Sequence, residues 1–263
     1  MRDLLGNGPV ASVARYHLDS GGNRTRAGLA FDAAAALDLD LSATQACACA
    51  AELLHNASLI HDDLQERDPT RRGRPAVWHA FGEAAAICAG DLLISAAYAS
   101  LARHPNAARA ITLLHAAVAE TARGQAADLD ASVASFQDYR MLASAKTGPL
   151  LALPVRLALC AAGLPGDEDA ARAGGALAIA YQMLDDLHDI DADRAAGRVN
   201  ICTILEANGL TPQQAPIVAR QAAQNALTEA RRRAHDLPNN AGSAYHTLAD
   251  RLDSTLTEFS YAA

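Results

Sequence analysis

Residues 59–75 read L-I-H-D-D-L-Q-E-R-D-P-T-R-R-G-R-P and set Asp62, Asp63, Glu66 and Asp68 just ahead of Arg71, Arg72 and Arg74. On a helix Asp62 and Glu66 share a face, and Asp63 lies about 100° round from Asp62. Like charges so spaced repel by about 0.2 to 0.5 kcal/mol per pair, so a cation must offset them. A second cluster, Y-Q-M-L-D-D-L-H-D-I-D-A-D (181–193), places Asp185, Asp189 and Asp193 at intervals of four, with Asp186 and Asp191 beside them. On one continuous helix the first three form a stripe. Two such helices side by side present two walls of oxygen ligands. Hard divalent cations take such ligands, and Mg²⁺ binds through a few carboxylates while leaving positions for phosphate oxygens. Arg71 and Arg72 supply guanidinium groups, which hold phosphate in bidentate fashion. Acids for metal and arginines for phosphate together imply a diphosphate substrate.

These residues need long helices to position them. The chain has 263 residues, 51% of them hydrophobic but only 4% aromatic. Its apolar content is largely alanine, the strongest helix former, so an all-α domain spanning 1–263 is expected. Helices are predicted over 10–19, from a capping box at Ser42 and Gln45 to about Arg67, and over 81–103, 106–130, 136–162, 167–194, 212–235 and 242–258. Pro149 and Pro154 should bend the fifth of these. No alternating β-branched strand of useful length is visible.

The net charge of −8 argues against nucleic acid or an anionic membrane as partner. Of the 22 basic residues only Lys146 is a lysine, which singles it out for a specific task. Cys47, Cys49, Cys88, Cys160 and Cys202 show no paired or metal-binding spacing and read as reduced core residues of a cytoplasmic protein. No signal peptide and no apolar stretch long enough to span a membrane is recognised.

In order along the chain, G-G-N-R-T-R (21–26), E-L-L-H (52–55), the first acidic cluster closing on R-R-G-R-P, G-D-L-L (90–93), G-Q-A-A-D-L (124–129), K-T-G (146–148) and Y-Q-x-x-D-D-x-x-D (181–189) resemble the motifs of the trans-isoprenyl diphosphate synthases. The resemblance covers nearly the whole chain. It implies an isoprenoid synthase type I helical bundle around a central cavity, a homodimer, and three Mg²⁺ ions. Asp62, Asp63 and Glu66 or Asp68 would hold metal from one side, Asp185 and Asp189 from the other. Arg71 and Lys146 would grip an allylic diphosphate; Arg26, His55 and Arg72 would grip isopentenyl diphosphate; Thr147 and Gln182 would line the reacting centre. The implied reaction is ionisation of the allylic diphosphate, attack by the isopentenyl double bond and loss of a proton. Ala57 and Ser58, small residues upstream of Asp62, imply a product of geranylgeranyl length.

The chain departs from the pattern in three places. Asn23 stands where the family has a lysine, Arg198 is the one cation of a shortened loop after the second cluster, and Glu66 competes with Asp68 as third ligand. The Asp185, Asp189, Asp193 spacing also resembles the second metal motif of class I terpene cyclases, so a cyclase or diphosphate lyase is the alternative. Against it stand His55, Arg26 and Arg72, and the scarcity of the aromatic faces that hold carbocations. A non-catalytic partner subunit is a third reading, disfavoured because both acidic clusters are present.

Overall fold

The computed structural model describes residues 1–130 and 133–258, and among them the backbone forms twelve α-helices and one minimal hairpin. The all-α expectation holds. The helices are α1 (Pro9–Leu18), α2 (Thr25–Ala36), α3 (Leu41–Gln65), α4 (Val77–Phe81), α5 (Glu83–Ser100), α6 (Ala107–Asp130), α7 (Phe136–Ala162), α8 (Asp167–His188), α9 (Ile190–Ala196), α10 (Ile201–Ala207), α11 (Ala215–His235) and α12 (Ser243–Glu258). Two compact units result: Met1–Ala116 with Leu153–Leu164, and Ala117–Ala152 with Pro165–Ala263.

In the first unit α3 lies against α5 and α2, and α1 against α5. Small side chains make that close approach possible: Ala50, Ala51 and Ala57 of α3 and Ala86, Ala89 and Ala97 of α5 are fully buried. Leu53, Ile60, Leu93 and Leu101 fill the remaining volume, each burial stabilising by about 1.5 to 3 kcal/mol. Gly90, the glycine of G-D-L-L, sits where the His61 ring of α3 rests on α5 and leaves no room for a Cβ.

In the second unit α8 packs on α11, with α10 and α12 alongside. Ala173, Leu177, Ala180 and Met183 of α8 and Ala219, Ala223, Leu227 and Ala230 of α11 are fully buried there. Tyr245 of α12 is fully buried, and its hydroxyl donates to the Ala170 carbonyl at 3.2 Å.

Several boundaries differ from expectation for local reasons. Helix α3 starts at Leu41 because the Asp40 carboxylate, a stronger acceptor than the Ser42 hydroxyl, takes the Ala43 amide at 2.8 Å. Helix α2 has no side-chain cap, since Arg24 precedes it in a left-handed conformation, and so it gave no start signal. The predicted 81–103 helix is divided at Gly82, and 212–235 begins at Ala215. Helix α7 runs through Pro149 and Pro154 as one element. The predicted 167–194 helix ends at His188: Asp189 has φ −107° and ψ 15°, and α9 restarts after it. The segments Glu83–Arg103 and Phe136–Ala162 reach the length and apolarity of a membrane-spanning helix, contrary to the sequence reading, although most of the second is buried inside the protein.

Candidate active site

The first acidic cluster lies at the end of α3, which stops at Gln65. Beyond it, Thr70–Arg71 and Arg74–Pro75 pair as antiparallel strands β1 and β2 around a two-residue turn. Both turn residues have positive φ, 52° at Arg72 and 74° at Gly73, as a type I′ turn requires. Glycine adopts this freely; Arg72 does so at a cost typical of functional positions. The turn reverses the chain and sends Arg71 back onto α3. Arg71 Nε donates to Asp63 Oδ1 at 2.8 Å, and Nη2 donates to the same oxygen. Asp63 is wholly buried and its Oδ2 has no hydrogen-bond partner. Burial pushes its carboxyl up against the opposing pull of Arg71. Asp62 and Asp68 are half-buried and Glu66 is exposed. Asp63, expected as a metal ligand, is therefore committed to Arg71, because the 100° between neighbours on a helix turns it inward when Asp62 points outward.

Arg72 turns the other way. It donates to the Gly21 carbonyl and to Ser20 Oγ at 3.3 Å, with its guanidinium lying over Gly22. Around it gather Arg26, which is 8% exposed, and the half-buried His55 and Arg24. Beneath them Glu52, 2% exposed, accepts from the Ala27 amide and from Asn56 Nδ2, each at 3.2 Å, with Arg24 Nη1 at 4.0 Å. Burial and then Arg26, Arg72, His17 and Arg71 drive the His55 imidazole well below its ordinary pKa. The structure thus brings Arg26, His55 and Arg72 close together. It adds His17, Glu52 and Asn56, to which the sequence reading gave no role; Glu52 and Asn56 were findable as i and i+4 partners within E-L-L-H-N.

The second acidic cluster divides in the same manner. Asp186 is 3% exposed, while Asp185 and Asp189 are exposed. Asp186 accepts from Gln182 Nε2 at 2.9 Å and from the Ile201 amide at 2.7 Å. Burial, more than any neighbour, raises its pKa, and Tyr139 lies against it. Asn200 caps α10 through the Cys202 amide and donates to the Asp186 carbonyl at 2.8 Å and to Asp193 Oδ2 at 3.0 Å. Arg198 Nε lies 3.1 Å from Asp193. One correction follows. Asp185, Asp189 and Asp193 do not form a continuous stripe, since Asp189 interrupts the helix and Asp193 is held by Arg198 and Asn200. Gln182 is half-buried, with its amide nitrogen on Asp186.

Lys146 is positioned by a close helix crossing. A Cβ on Gly124 of α6 would lie 2.6 Å from the Ala145 carbonyl carbon and the Lys146 nitrogen of α7, so only glycine permits the approach. There Lys146 Nζ donates to Asp128 Oδ2 at 2.7 Å, which gives G-Q-A-A-D-L a structural meaning. Thr147 follows, half-buried. On α3, Ala57 is fully buried, and Ser58 Oγ donates to the His55 carbonyl at 2.9 Å.

Among the described residues no three His, Cys, Asp or Glu side chains converge as a closed metal cage. The donors fit Mg²⁺ all the same. Asp62, Glu66, Asp68, Asp185 and Asp189 are oxygen-only, and all are at least partly open to solvent. Mg²⁺ is held by one or two such carboxylates and completes its shell with water and phosphate.

The chain is similar in sequence and fold to known proteins of one kind. It is 33% identical over 204 residues to the geranylgeranyl diphosphate synthase of Methanosarcina mazei, covering 74% of this chain and 63% of that one. It is 33% identical over 264 residues to a probable farnesyl diphosphate synthase of Bradyrhizobium diazoefficiens, covering 94% and 77%. Against the farnesyl diphosphate synthase of Mycobacterium bovis the match spans 48% of that protein. In three dimensions it matches the geranylgeranyl pyrophosphate synthetase of Geoglobus acetivorans with a TM-score of 0.86 at 25% identity, over 95% and 94% of the two chains. The polyprenyl synthetase family model aligns with residues 8–248. With both acidic clusters, the arginine hairpin and K-T-G inside that match, the chain belongs to the polyprenyl synthetase family.

Proposed function

We propose that the protein is a Mg²⁺-dependent prenyltransferase that joins an allylic diphosphate to isopentenyl diphosphate, releasing diphosphate and a longer trans-prenyl diphosphate of geranylgeranyl-like length. One observation carries this reading: a cluster of bases, the buried Arg26, the half-buried Arg24 and His55 and the exposed Arg72, lies beside an acidic cluster whose outward carboxylates are Asp62 and Glu66, within one unit. An anion pocket and a cation-binding edge on the same helix suit a reaction with two diphosphate substrates.

In this reading Asp62 with Glu66 or Asp68, and Asp185 with Asp189, hold up to three Mg²⁺ ions. When bound, these ions neutralise charge developing on the departing diphosphate. Lys146 and Arg71 hold that same group. Asp63 keeps Arg71 charged and oriented, and Asp186 keeps Gln182 oriented. Arg26, His55 and Arg72 hold isopentenyl diphosphate, whose double bond attacks the allylic carbon as the carbon–oxygen bond breaks. The new carbon–carbon bond leaves a tertiary cation, and the released diphosphate takes its proton. The lyase reading loses its footing with the broken Asp185, Asp189, Asp193 stripe. A cytoplasmic homodimer is the proposed working form.

The test incubates purified protein and Mg²⁺ with dimethylallyl, geranyl or farnesyl diphosphate, with and without isopentenyl diphosphate, and identifies products by mass. Longer diphosphates formed only with isopentenyl diphosphate are expected. Hydrocarbons or alcohols from the allylic substrate alone would overturn the reading.

A further inference from the structure

His17 has no part in the acidic clusters or in the hairpin, yet it sits within their surroundings. It is 3% exposed on α1, and its Nε2 is buried without a hydrogen-bond partner. A second nitrogen of the same cluster, the buried His55 Nδ1, also lacks a hydrogen-bond partner. An orphaned buried nitrogen costs about 1 to 3 kcal/mol, and two in one place mark a pocket that a ligand completes.

Asn56 lies beside the His17 side chain. Asn56, 1% exposed, is fixed by donating to the Glu52 carbonyl at 2.7 Å and to Glu52 Oε1 at 3.2 Å. Beside this fixed amide, the buried Nε2 of His17 has no hydrogen-bond partner. Charge decides which partner suits it. The charges that act on His17 are those of Arg72, Arg71 and Arg24, all of them positive. An anion is the partner that the orphaned nitrogens and this positive surrounding both call for.

We propose that His17 is a diphosphate-binding residue of this chain, lying beside the Glu52–Asn56 pair and donating from Nε2 to the isopentenyl diphosphate. The proposal rests on the reading that this pocket binds that substrate. It also supplies a donor on α1, six residues before Asn23, which brings no positive charge. In the free protein burial, Arg72, Arg71 and Arg24 hold the imidazole neutral, down to about 4. A bound polyanion reverses that electrostatic pressure, so binding takes up a proton and tightens as pH falls. The groups around α1 that bear on this are Glu52, His55 and Asp63 of α3, Arg24 and Arg26 at the start of α2, and Arg71 and Arg72 of the hairpin. On α1 itself Arg15 is turned to the Gly6 carbonyl; on α4 and α5, Glu83 is paired with Arg67 and Asp91 lies by His61, leaving His79.

The test compares wild type, His17→Gln and His17→Leu by calorimetric binding of isopentenyl diphosphate and by KM for each substrate between pH 6 and 8. Loss of one charge-assisted hydrogen bond predicts about 10 to 150-fold weaker isopentenyl diphosphate binding in His17→Leu, with the allylic KM unchanged. The pH dependence present in wild type, beyond that of the ligand itself, should be absent in His17→Gln. A change below twofold, or an equal rise in both KM values, overturns the proposal. Should the variants misfold, imidazole nitrogen resonances of the wild type are followed during titration with isopentenyl diphosphate; an unmoved His17 Nε2 overturns it too. Unchanged variants of an active enzyme sink this inference alone. A wild type that binds no diphosphate sinks the proposed function, and this inference with it.

Discussion

Arg71 Nε donates to Asp63 Oδ1 at 2.8 Å, joining the arginine hairpin to the buried aspartate of the first acidic pair. Asp63 is wholly buried while the Arg71 side chain is 30% exposed, so the aspartate has more to lose. Replacing Arg71 by Ala leaves a buried carboxylate uncompensated and should cost about 2 to 4 kcal/mol at pH 7. Since burial already raises the Asp63 pKa, the penalty should shrink as pH falls and Asp63 takes a proton. Adding Asp63→Asn should recover much of the lost stability without recovering turnover. Chemical denaturation of the four proteins at pH 7 and pH 5 closes this cycle.

The outward carboxylates should behave oppositely. Asp62 is half-buried and Asp185 exposed, so Asp62→Ala and Asp185→Ala should shift stability by no more than about 0.5 kcal/mol. Each should lower turnover by at least about 100-fold and raise the Mg²⁺ concentration needed for half-maximal rate. Melting curves alongside Mg²⁺ titrations of activity test both; a variant that keeps wild-type turnover removes its residue from the metal set.

Asp186 should be structural where Asp185 is not. Asp186→Ala strands the Ile201 amide and the Gln182 side chain, at an expected cost of about 2 to 4 kcal/mol. Hydrogen exchange should show the Ile201 amide losing protection first, because its acceptor is gone. An Asp186→Ala protein as stable as Asp185→Ala contradicts this assignment.

Acid should destabilise the fold through its buried imidazoles. His17 is held down to about 4 in the folded state against 6.5 ordinarily, and His55 is lowered as well. The unfolded chain therefore binds more protons in this window, so the stability is complete above about pH 6.5 and is lost as pH falls toward 4. Each pH unit costs up to about 1.4 kcal/mol per histidine. Melting temperatures of wild type and His17→Gln at pH 7.5, 5.5 and 4.5 should diverge, the variant falling less steeply.

Product length offers a separate check. Ala57 is fully buried one to two turns before Asp62, and a larger side chain there should shorten the product if the prenyl tail runs along this face. Ala57→Phe should favour a product shorter than wild type, at an overpacking cost of about 1 to 3 kcal/mol. Mass analysis of products reads the outcome, and an unchanged distribution removes Ala57 from the tail channel.

The helical class, the two acidic clusters, the arginines behind the first of them and the special standing of Lys146 were legible in the sequence, because residue spacing on a helix fixes which side chains share a face. Spacing does not say which face another element will cover. That is why Asp62 and Asp63, adjacent in the chain, ended in different surroundings, one half-open and one buried, once Arg71 folded back over Asp63. The stripe of Asp185, Asp189 and Asp193 needed an unbroken helix, and the pairing of Asp193 with Arg198 and Asn200 accompanies a break that no local propensity announced. His17 gave no signal at all: its place beside His55 and Arg72 comes from packing between segments far apart in sequence, and only tertiary structure decides that.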